Sequence, residues 1–207
     1  MTLTTNDIRE RLRKAHSSKN TPLPRFAEKL PISDSLQSAA VLMPLLENAG
    51  AWHLLFIKRT KHKHDQHSGQ VAFPGGRAED GDEDLIKTAL REAEEEIGLA
   101  PSDVNVLGRL GDVITTTNYR VTPIVGEIPW PYTFTLAVDE VSSVFAIPLA
   151  WLADTSNRCI RPWTPVQEEE GVDSYPVIFY KEYKEEILWG ASARMVVELV
   201  ERLSVEC

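Results

Sequence analysis

The sequence is short of cysteine: Cys159 and Cys207 are its two thiols in 207 residues. That is too few for a disulfide framework or a thiolate zinc site. It also lacks any run of about 18 apolar residues, so nothing in it reads as a membrane span. Residues 1–19 mix acids and bases without an apolar stretch, which argues against a secretory signal. Basic residues are in deficit, 22 against 31 acids, for a formal net charge of -9. Such a surface repels a phosphate polymer, so no DNA or RNA partner is expected. A small anionic ligand is still compatible if bound cations cover its site. A cytoplasmic, reducing setting is the expectation that remains.

What is present is the mix of a globular protein, with 43% hydrophobic and 26% charged residues. Asn6 to His16 reads as a short amphipathic helix, and Ser17 to Ser35 as a connecting arm rich in Pro, Ser and Lys. Residues 1–35 are therefore set apart from a domain over 36–207. Within it, Ala39–Leu46 and Trp52–Lys58 read as a hairpin, and Gln70–Phe73 as a short strand broken by Pro74-Gly75-Gly76. The strongest helix runs over Asp84–Ile97. Val104–Leu110, Asp112–Thr115, Val121–Ile128, Val141–Ile147 and Tyr175–Tyr180 alternate as strands. Pro148–Ala153 and Ala191–Leu203 are helices, and Thr155–Asp173 is left irregular. Strands punctuated by helices give an α+β class with a sheet between helices.

On a wheel of 100° per residue, Ile86, Leu90, Ala93 and Ile97 form an apolar stripe, and Glu92, Glu95 and Glu96 fall opposite. Three carboxylates at such spacing repel by some tenths of a kcal/mol per pair. A hard divalent cation removes that penalty, since Mg2+ and Mn2+ prefer oxygen ligands. A solvated acidic face is the plain alternative. Two features favour a site: Gly75 and Gly76 let the backbone approach a ligand closely, and Gly98 suits a helix C-cap.

The stretch Gly76 to Leu99 resembles the Nudix box, G-x5-E-x7-R-E-U-x-E-E-x-G-U with U apolar. Glu83 is followed at the right distance by Arg91-Glu92-Ala93-Glu94-Glu95-Glu96-Ile97-Gly98-Leu99. Six residues rather than five separate Gly76 from Glu83, so the loop carries one extra residue, or Asp82 at the strict spacing takes the place of Glu83. The resemblance implies the Nudix fold, an α/β/α sandwich with a mixed β-sheet, and water attack on a phosphorus of a pyrophosphate. It implies Mg2+ or Mn2+ on Glu92, Glu95 and Glu96, with the carbonyl of Gly76 as a further ligand. Glu92 and Glu95 would then be catalytic, and Arg91 would orient the carboxylates through its forked donors. A helix glutamate or an extra acid, Glu83, Glu140 or Asp139, would accept the proton.

Upstream, Leu55-Phe56-Ile57-Lys58-Arg59-Thr60 and Gly69 to Gly76 resemble the motif L-L-T-x-R-S-x3-R-x3-G-x3-F-P-G-G of the coenzyme A diphosphatase branch. Arg59 and Gly69 match; His64 or Asp65 stands where the second arginine belongs, in a loop one residue longer. Thr115 to Pro123 and Ile187 to Ala193 resemble later segments of the same branch. The implied substrate is coenzyme A or acyl-coenzyme A, split to 3',5'-ADP and (acyl-)4'-phosphopantetheine. The substrate-binding residues implied are Arg59, Phe73, Gly75 and Tyr119. Arg59 suits a phosphate; Phe73 and Trp189 suit either an adenine face or the core. ADP-ribose, NADH or a nucleoside triphosphate is the alternative substrate, and a non-catalytic Nudix-fold binding module the alternative of another class. His53 is read as a surface or packing residue. His62, His64 and His67 are read as solvated loop, since a zinc site wants firmer ligands; Glu168 to Glu170 are read likewise. The partner expected is a small nucleotide, with no membrane, and a homodimer is left open.

Overall fold

A computed structural model describes residues 3–17, 36–61, 69–163 and 174–203 of the chain. The arm over 18–35, the three loop histidines, Glu168 to Glu170 and Cys207 lie outside the described residues. The elements in order are α1 (Thr5–Ser17), β1 (Gln37–Asn48), β2 (Ala51–Arg59), β3 (Val71–Ala72), β4 (Gly75–Arg77), α2 (Leu85–Ile97), β5 (Asn105–Arg109), β6 (Val113–Ile114), β7 (Tyr119–Glu127), β8 (Val141–Pro148), α3 (Leu149–Ala153), β9 (Arg158–Trp163), β10 (Tyr175–Tyr180) and α4 (Gly190–Leu203).

Eight strands form one mixed sheet in the order β3-β2-β1-β7-β5, with β4 on β1, β6 on β7 and β8 on β2. β1 and β7 run parallel and the other pairs antiparallel. Strand periodicity sorts the core into two layers. Met43, Leu45, Leu54, Phe56, Val121 and Val125 face α1, α3 and α4, where Ile8, Leu12, Leu152, Val196 and Leu199 are buried. Ala40, Leu42, Leu46, Leu55, Ile57 and Ile124 face α2. This is the α/β/α sandwich with a mixed sheet that the resemblance implies. α1 starts on a reciprocal cap, in which Asp7 accepts from the Thr4 N–H at 2.9 Å and Thr4 Oγ1 accepts from the Asp7 N–H at 3.2 Å.

One edge of β1 is shared by two strands. β7 follows β1 in parallel from Gln37 to Leu45, so β4 at Ala39–Val41 and β2 at Leu45–Asn48 must both lie on its other edge. Between them sits Pro44. The Leu42 N–H donates to the Pro74 carbonyl at 2.8 Å, so the even residues of β1 aim their amides at this edge. The N–H that Pro44 lacks would therefore point into the splay between β2 and β4, where no ladder partner waits.

Two differences from the sequence reading concern strands. β4 forms where a break is expected, because Gly75 and Gly76 pair with Val41 and Ala40. β9 forms within the segment read as irregular and pairs with β10 from Trp163↔Tyr175 to Arg158↔Tyr180. Its sequence, Arg-Cys-Ile-Arg-Pro-Trp, contains a proline and alternates weakly, which hid it.

The third difference concerns α2. Ile86 is 36% exposed, whereas Thr88, Ala89, Ala93, Glu96 and Ile97 are buried. The buried face is rotated by roughly 60° from the apolar stripe, toward the acids. Small residues, not Ile86, meet the sheet. Ala93→Leu is accordingly expected to cost about 1–3 kcal/mol by overpacking, while Ile86→Glu stays within about 0.5 kcal/mol. Urea unfolding midpoints compare the two, and equal losses would return Ile86 to the core.

Candidate active site

The carboxylates of α2 are placed by both ends of that helix. At the start, Asp84 caps it by accepting from the Lys87 N–H at 2.9 Å. At the end, Gly98 takes φ 67°, and its N–H and that of Leu99 return to the Glu94 and Ala93 carbonyls. A Cβ on Gly98 would lie 2.9 Å from that of Thr135. The segment before β8 runs along this end: the Thr135 N–H donates to the Ile97 carbonyl at 3.0 Å and the Ala137 N–H to the Glu96 carbonyl at 2.9 Å. Two carbonyls that a helix end leaves without partners are satisfied in this way. The same segment carries Glu140 to the site, where the Thr60 N–H donates to its carbonyl at 2.8 Å.

Glu96 is buried beneath β4, and its Oε2 accepts from the Gly75 N–H at 3.0 Å. Burial pushes its carboxyl up to about 8, against the opposing pull of the Gly75 N–H and the Arg59 charge; Glu92 and Glu140 push it further. Glu92 is half-buried, and burial raises its carboxyl too, although the adjacent Arg91 pulls it down. Gly75 has φ 153°, and a Cβ there would lie 2.4 Å from the Ala40 carbonyl oxygen. A Cβ on Gly76 would lie 2.5 Å from the Glu92 carboxylate. Both glycines are thus required by close approach, one to β1 and one to Glu92.

Arg91 joins the loop to the helix. Its Nε and Nη2 meet Asp82 at 3.1 and 3.2 Å, Nη2 also donates to the Arg77 carbonyl at 3.1 Å, and Nη1 donates to Glu92 at 3.0 Å and Glu95 at 3.1 Å. Asp82 accepts further from Thr88 Oγ1 at 2.8 Å and the Glu79 N–H at 3.0 Å. Asp82 is therefore the loop acid that grips Arg91, and Glu83 is exposed beside it. The extra loop residue falls after the gripping acid, not before it.

The expected residues divide on this geometry. Arg59, Gly75, Gly76, Glu92, Glu96 and Glu140 come together: the charges of Arg59, Glu92 and Glu140 all act on Glu96. Glu95 stays at the rim, its side chain 60% exposed. The single acid face is corrected, because Glu96 is buried while Glu95 is not; the rotation of α2 is the reason. Phe73 is corrected as a substrate platform: it is buried in the layer opposite α2, with its ring stacked on Phe56 at 4.8 Å. Tyr119 begins β7 on that same face, half-buried, and no contact joins it to the carboxylates of α2 among the described residues. Glu83 does not join the carboxylate group. Among the described residues, no three acid, imidazole or thiol side chains are gathered at metal-binding spacing. Sequence reasoning missed the clasp of Thr135 and Ala137 on α2; no local pattern signals it.

The NUDIX domain family matches residues 36–169. The chain belongs to the Nudix family. It is 38% identical over 170 residues to the protein named "Uncharacterized Nudix hydrolase NudL" of Escherichia coli O7:K1 (strain IAI39 / ExPEC), covering 82% of this chain and 84% of that protein. The protein of the same name from Shigella boydii serotype 18 matches over the same 170 residues at 38% identity, with the same coverage of 82% and 84%. The crystal structure of a MutT/nudix family protein from Enterococcus faecalis shares the fold, with a TM-score of 0.54 at 14% identity over 99% of this chain and 75% of that one.

The Asp82–Arg91 clasp has a pH signature. Hydrogen bonds from Arg91, then from the Glu79 N–H, hold the Asp82 carboxyl well below the usual carboxylate range. A depressed acid stabilises the fold fully above its unfolded value, about 3.9, and that contribution is lost as pH falls below it toward the folded value. Asp82→Asn is expected to cost about 1–3 kcal/mol at neutral pH and to flatten the acid side of the melting curve. Melts from about pH 6 down to about pH 1.5 measure this; a variant that tracks the native protein throughout removes the clasp from the stability of the fold.

Proposed function

We propose that the chain hydrolyses a pyrophosphate bond in a nucleoside diphosphate derivative, with coenzyme A or acyl-coenzyme A as the preferred substrate. The observation that carries the reaction is the convergence of Glu92 and Glu96 on the Gly75-Gly76 strand, within reach of the Arg59 charge. The catalytic unit is taken as residues 36–207.

Nudix hydrolases generally use divalent metal ions such as Mg2+ or Mn2+. The residues fit such an ion: two carboxylates and the Gly76 carbonyl are oxygen donors, and the absent Cβ of Gly76 leaves room against Glu92. Mg2+ is commonly held by one or two carboxylates, with waters and substrate phosphates completing the shell, so a full protein cage is not required. When bound, the ion supplies charge neutralisation at the pyrophosphate and lowers the pKa of the attacking water. Arg91 keeps Glu92 in place by its 3.0 Å hydrogen bond and ties Glu95 to the rim. Arg59 binds a phosphate oxygen and offsets the negative charge around Glu96. Glu140, exposed and with its charge acting on Glu92 and Glu96, is the carboxylate that serves as general base and takes the proton from the attacking water. Hydrolysis of coenzyme A then releases 3',5'-ADP and 4'-phosphopantetheine. The substrate reading rests on Arg59, Gly69 and the Phe73-Pro74-Gly75-Gly76 match.

Glu92→Gln and Glu96→Gln are each expected to lower kcat at least about a hundredfold, the loss of several kcal/mol of metal-based stabilisation. Glu95→Gln, at the rim, should cost less. Circular dichroism should show all three folded. Near-native turnover in both Glu92→Gln and Glu96→Gln removes the metal assignment, and magnesium-independent binding without product would favour the non-catalytic module.

For substrate choice, coenzyme A should show a higher kcat/KM than dephospho-coenzyme A, ADP-ribose or NADH, because unpaired basic donors penalise the substrate without the 3'-phosphate. Arg59→Ala should narrow the gap between coenzyme A and its dephospho form. Equal slowing of all four substrates would put Arg59 on the shared pyrophosphate instead. ADP-ribose as the better substrate would move the chain to another Nudix branch.

A further inference from the structure

A second concavity lies away from the carboxylates, on the hairpin of β9 and β10. It is a half-open groove of about 460 Å³ lined by Arg161, Phe179, Lys181, Glu182, Ile187 and Trp189. That volume is within the range of small-molecule clefts, about 300–1,000 Å³. Its walls are apolar. The rings of Phe179 and Trp189 lie parallel, 2° apart with centroids at 5.4 Å, and Ile187 is 48% exposed on the adjoining loop. Ile187 and the two stacked rings thus form one apolar wall open to a ligand. The rim is mixed. The Arg161 guanidinium stands 5.7 Å over the Phe179 ring, and its Nε donates to Cys159 Sγ at 3.2 Å. Lys181 adds a second cation and Glu182 an acid.

The cavity is tied to the catalytic edge. Lys58 Nζ pairs with Glu186, on the loop that carries Ile187. Lys58 precedes Arg59 in β2, and the Arg59 charge acts on Glu96. Three residues lead from Glu186 to Trp189, at most about 11 Å of chain. Strand alternation points Lys58 to one face of the sheet and Arg59 to the other. The loop of Ile187 and Trp189 thus lies next to the strand that ends at Arg59, within the span of a long flexible arm on a substrate whose pyrophosphate lies there.

We infer that the cavity of Phe179, Ile187 and Trp189 takes the apolar tail of the substrate, an aliphatic acyl chain carried at the far end of the nucleotide's arm. This rests on the coenzyme A reading above. The aliphatic chain lies along the rings and Ile187, while Arg161 and Lys181 face the carbonyl oxygens where the chain joins the arm. An aliphatic chain gains from leaving water at about 25 cal/mol per Å² of buried apolar surface, less the cost of ordering it.

The test compares coenzyme A with S-octanoyl-coenzyme A. With metal removed by chelator, calorimetry gives the affinity of each uncleaved; with Mg2+, initial rates give KM and kcat. The native chain should bind the octanoyl form at least about tenfold more tightly and show the same advantage in KM, with kcat little changed. Ile187→Asp should abolish the advantage and leave kcat/KM for coenzyme A as it was. Arg161→Gln should weaken the octanoyl form alone. Ile187 is already half exposed, so its substitution spares the fold. Equal affinity of the native chain for both ligands overturns the inference, as does an octanoyl advantage that Ile187→Asp leaves intact. Octanoate that binds the native chain, loses affinity in Ile187→Asp, and leaves the KM of octanoyl-coenzyme A unchanged also overturns it in favour of a free fatty-acid site. Failure of the substrate reading looks different: neither coenzyme A form releases 3',5'-ADP, whatever their relative affinities.

Discussion

The candidate site depends on β1 giving one side to two strands. A strand in the middle of a sheet normally has one partner on each edge. Here β7 occupies one edge along nine registered positions, and the other is divided between β4 and β2. The division lets β2 diverge with β8 and end at Arg59, while β4 stays on β1 and presents Gly75 and Gly76. α2 lies across the second group, so Glu92 and Glu96 meet the glycine strand while the Arg59 charge acts on Glu96 from the first. Pro44 supports the arrangement passively. Any other residue would aim an N–H into the gap, and a buried amide without a partner costs free energy comparable to a lost hydrogen bond.

Arg91 supplies the other half of the geometry. It is one side chain with five donors, and they reach Asp82, the Arg77 carbonyl, Glu92 and Glu95. Lysine at this position could not span that set, because its charge is compact and its donors converge on one nitrogen. The clasp fixes the loop from Arg77 to Asp82 against the helix, and so fixes where Gly76 sits relative to Glu92.

Much of this was legible in the sequence, and what was not has physical causes. β1, β2 and β7 read directly as apolar runs because each strand is buried on both faces. Asp84 and Gly98 mark the ends of α2 by cap chemistry, which is local. The site residues of the helix follow from spacing. Their environments do not, because a wheel locates the apolar arc and not the neighbour packed on it. Ala89 and Ala93 are small and weigh little in such a count, yet small residues are what let α2 approach the sheet, and Ile86 is left at the margin. Motif position alone leaves Phe73 and Tyr119 open to a substrate role; strand direction decides which layer each faces. β9 and the Thr135–Ala137 clasp depend on partners far along the chain, and no window of local sequence contains them.

The three glutamates illustrate how far environment separates identical groups. As charges on a free helix, Glu92, Glu95 and Glu96 would repel by tenths of a kcal/mol per pair. In the fold that repulsion is the minor effect. Glu95 is in water and shares an Arg91 donor, so its place on the helix costs the fold little. Glu96 is out of water with one N–H donor, and an isolated buried carboxylate costs several kcal/mol unless it is paired. Desolvation is therefore the larger effect, and it gives Glu96 two ways to avoid the cost: keep a proton, or meet a cation. Arg59 is the nearby cation of the chain, but its charge only partly opposes the desolvation of Glu96, whose carboxyl remains raised to about 8. The site thus holds more negative charge than its own side chains neutralise once Glu96 ionises. That deficit is what an oxygen-seeking divalent ion would fill, and it arises from the burial of one glutamate rather than from the number of glutamates on the helix.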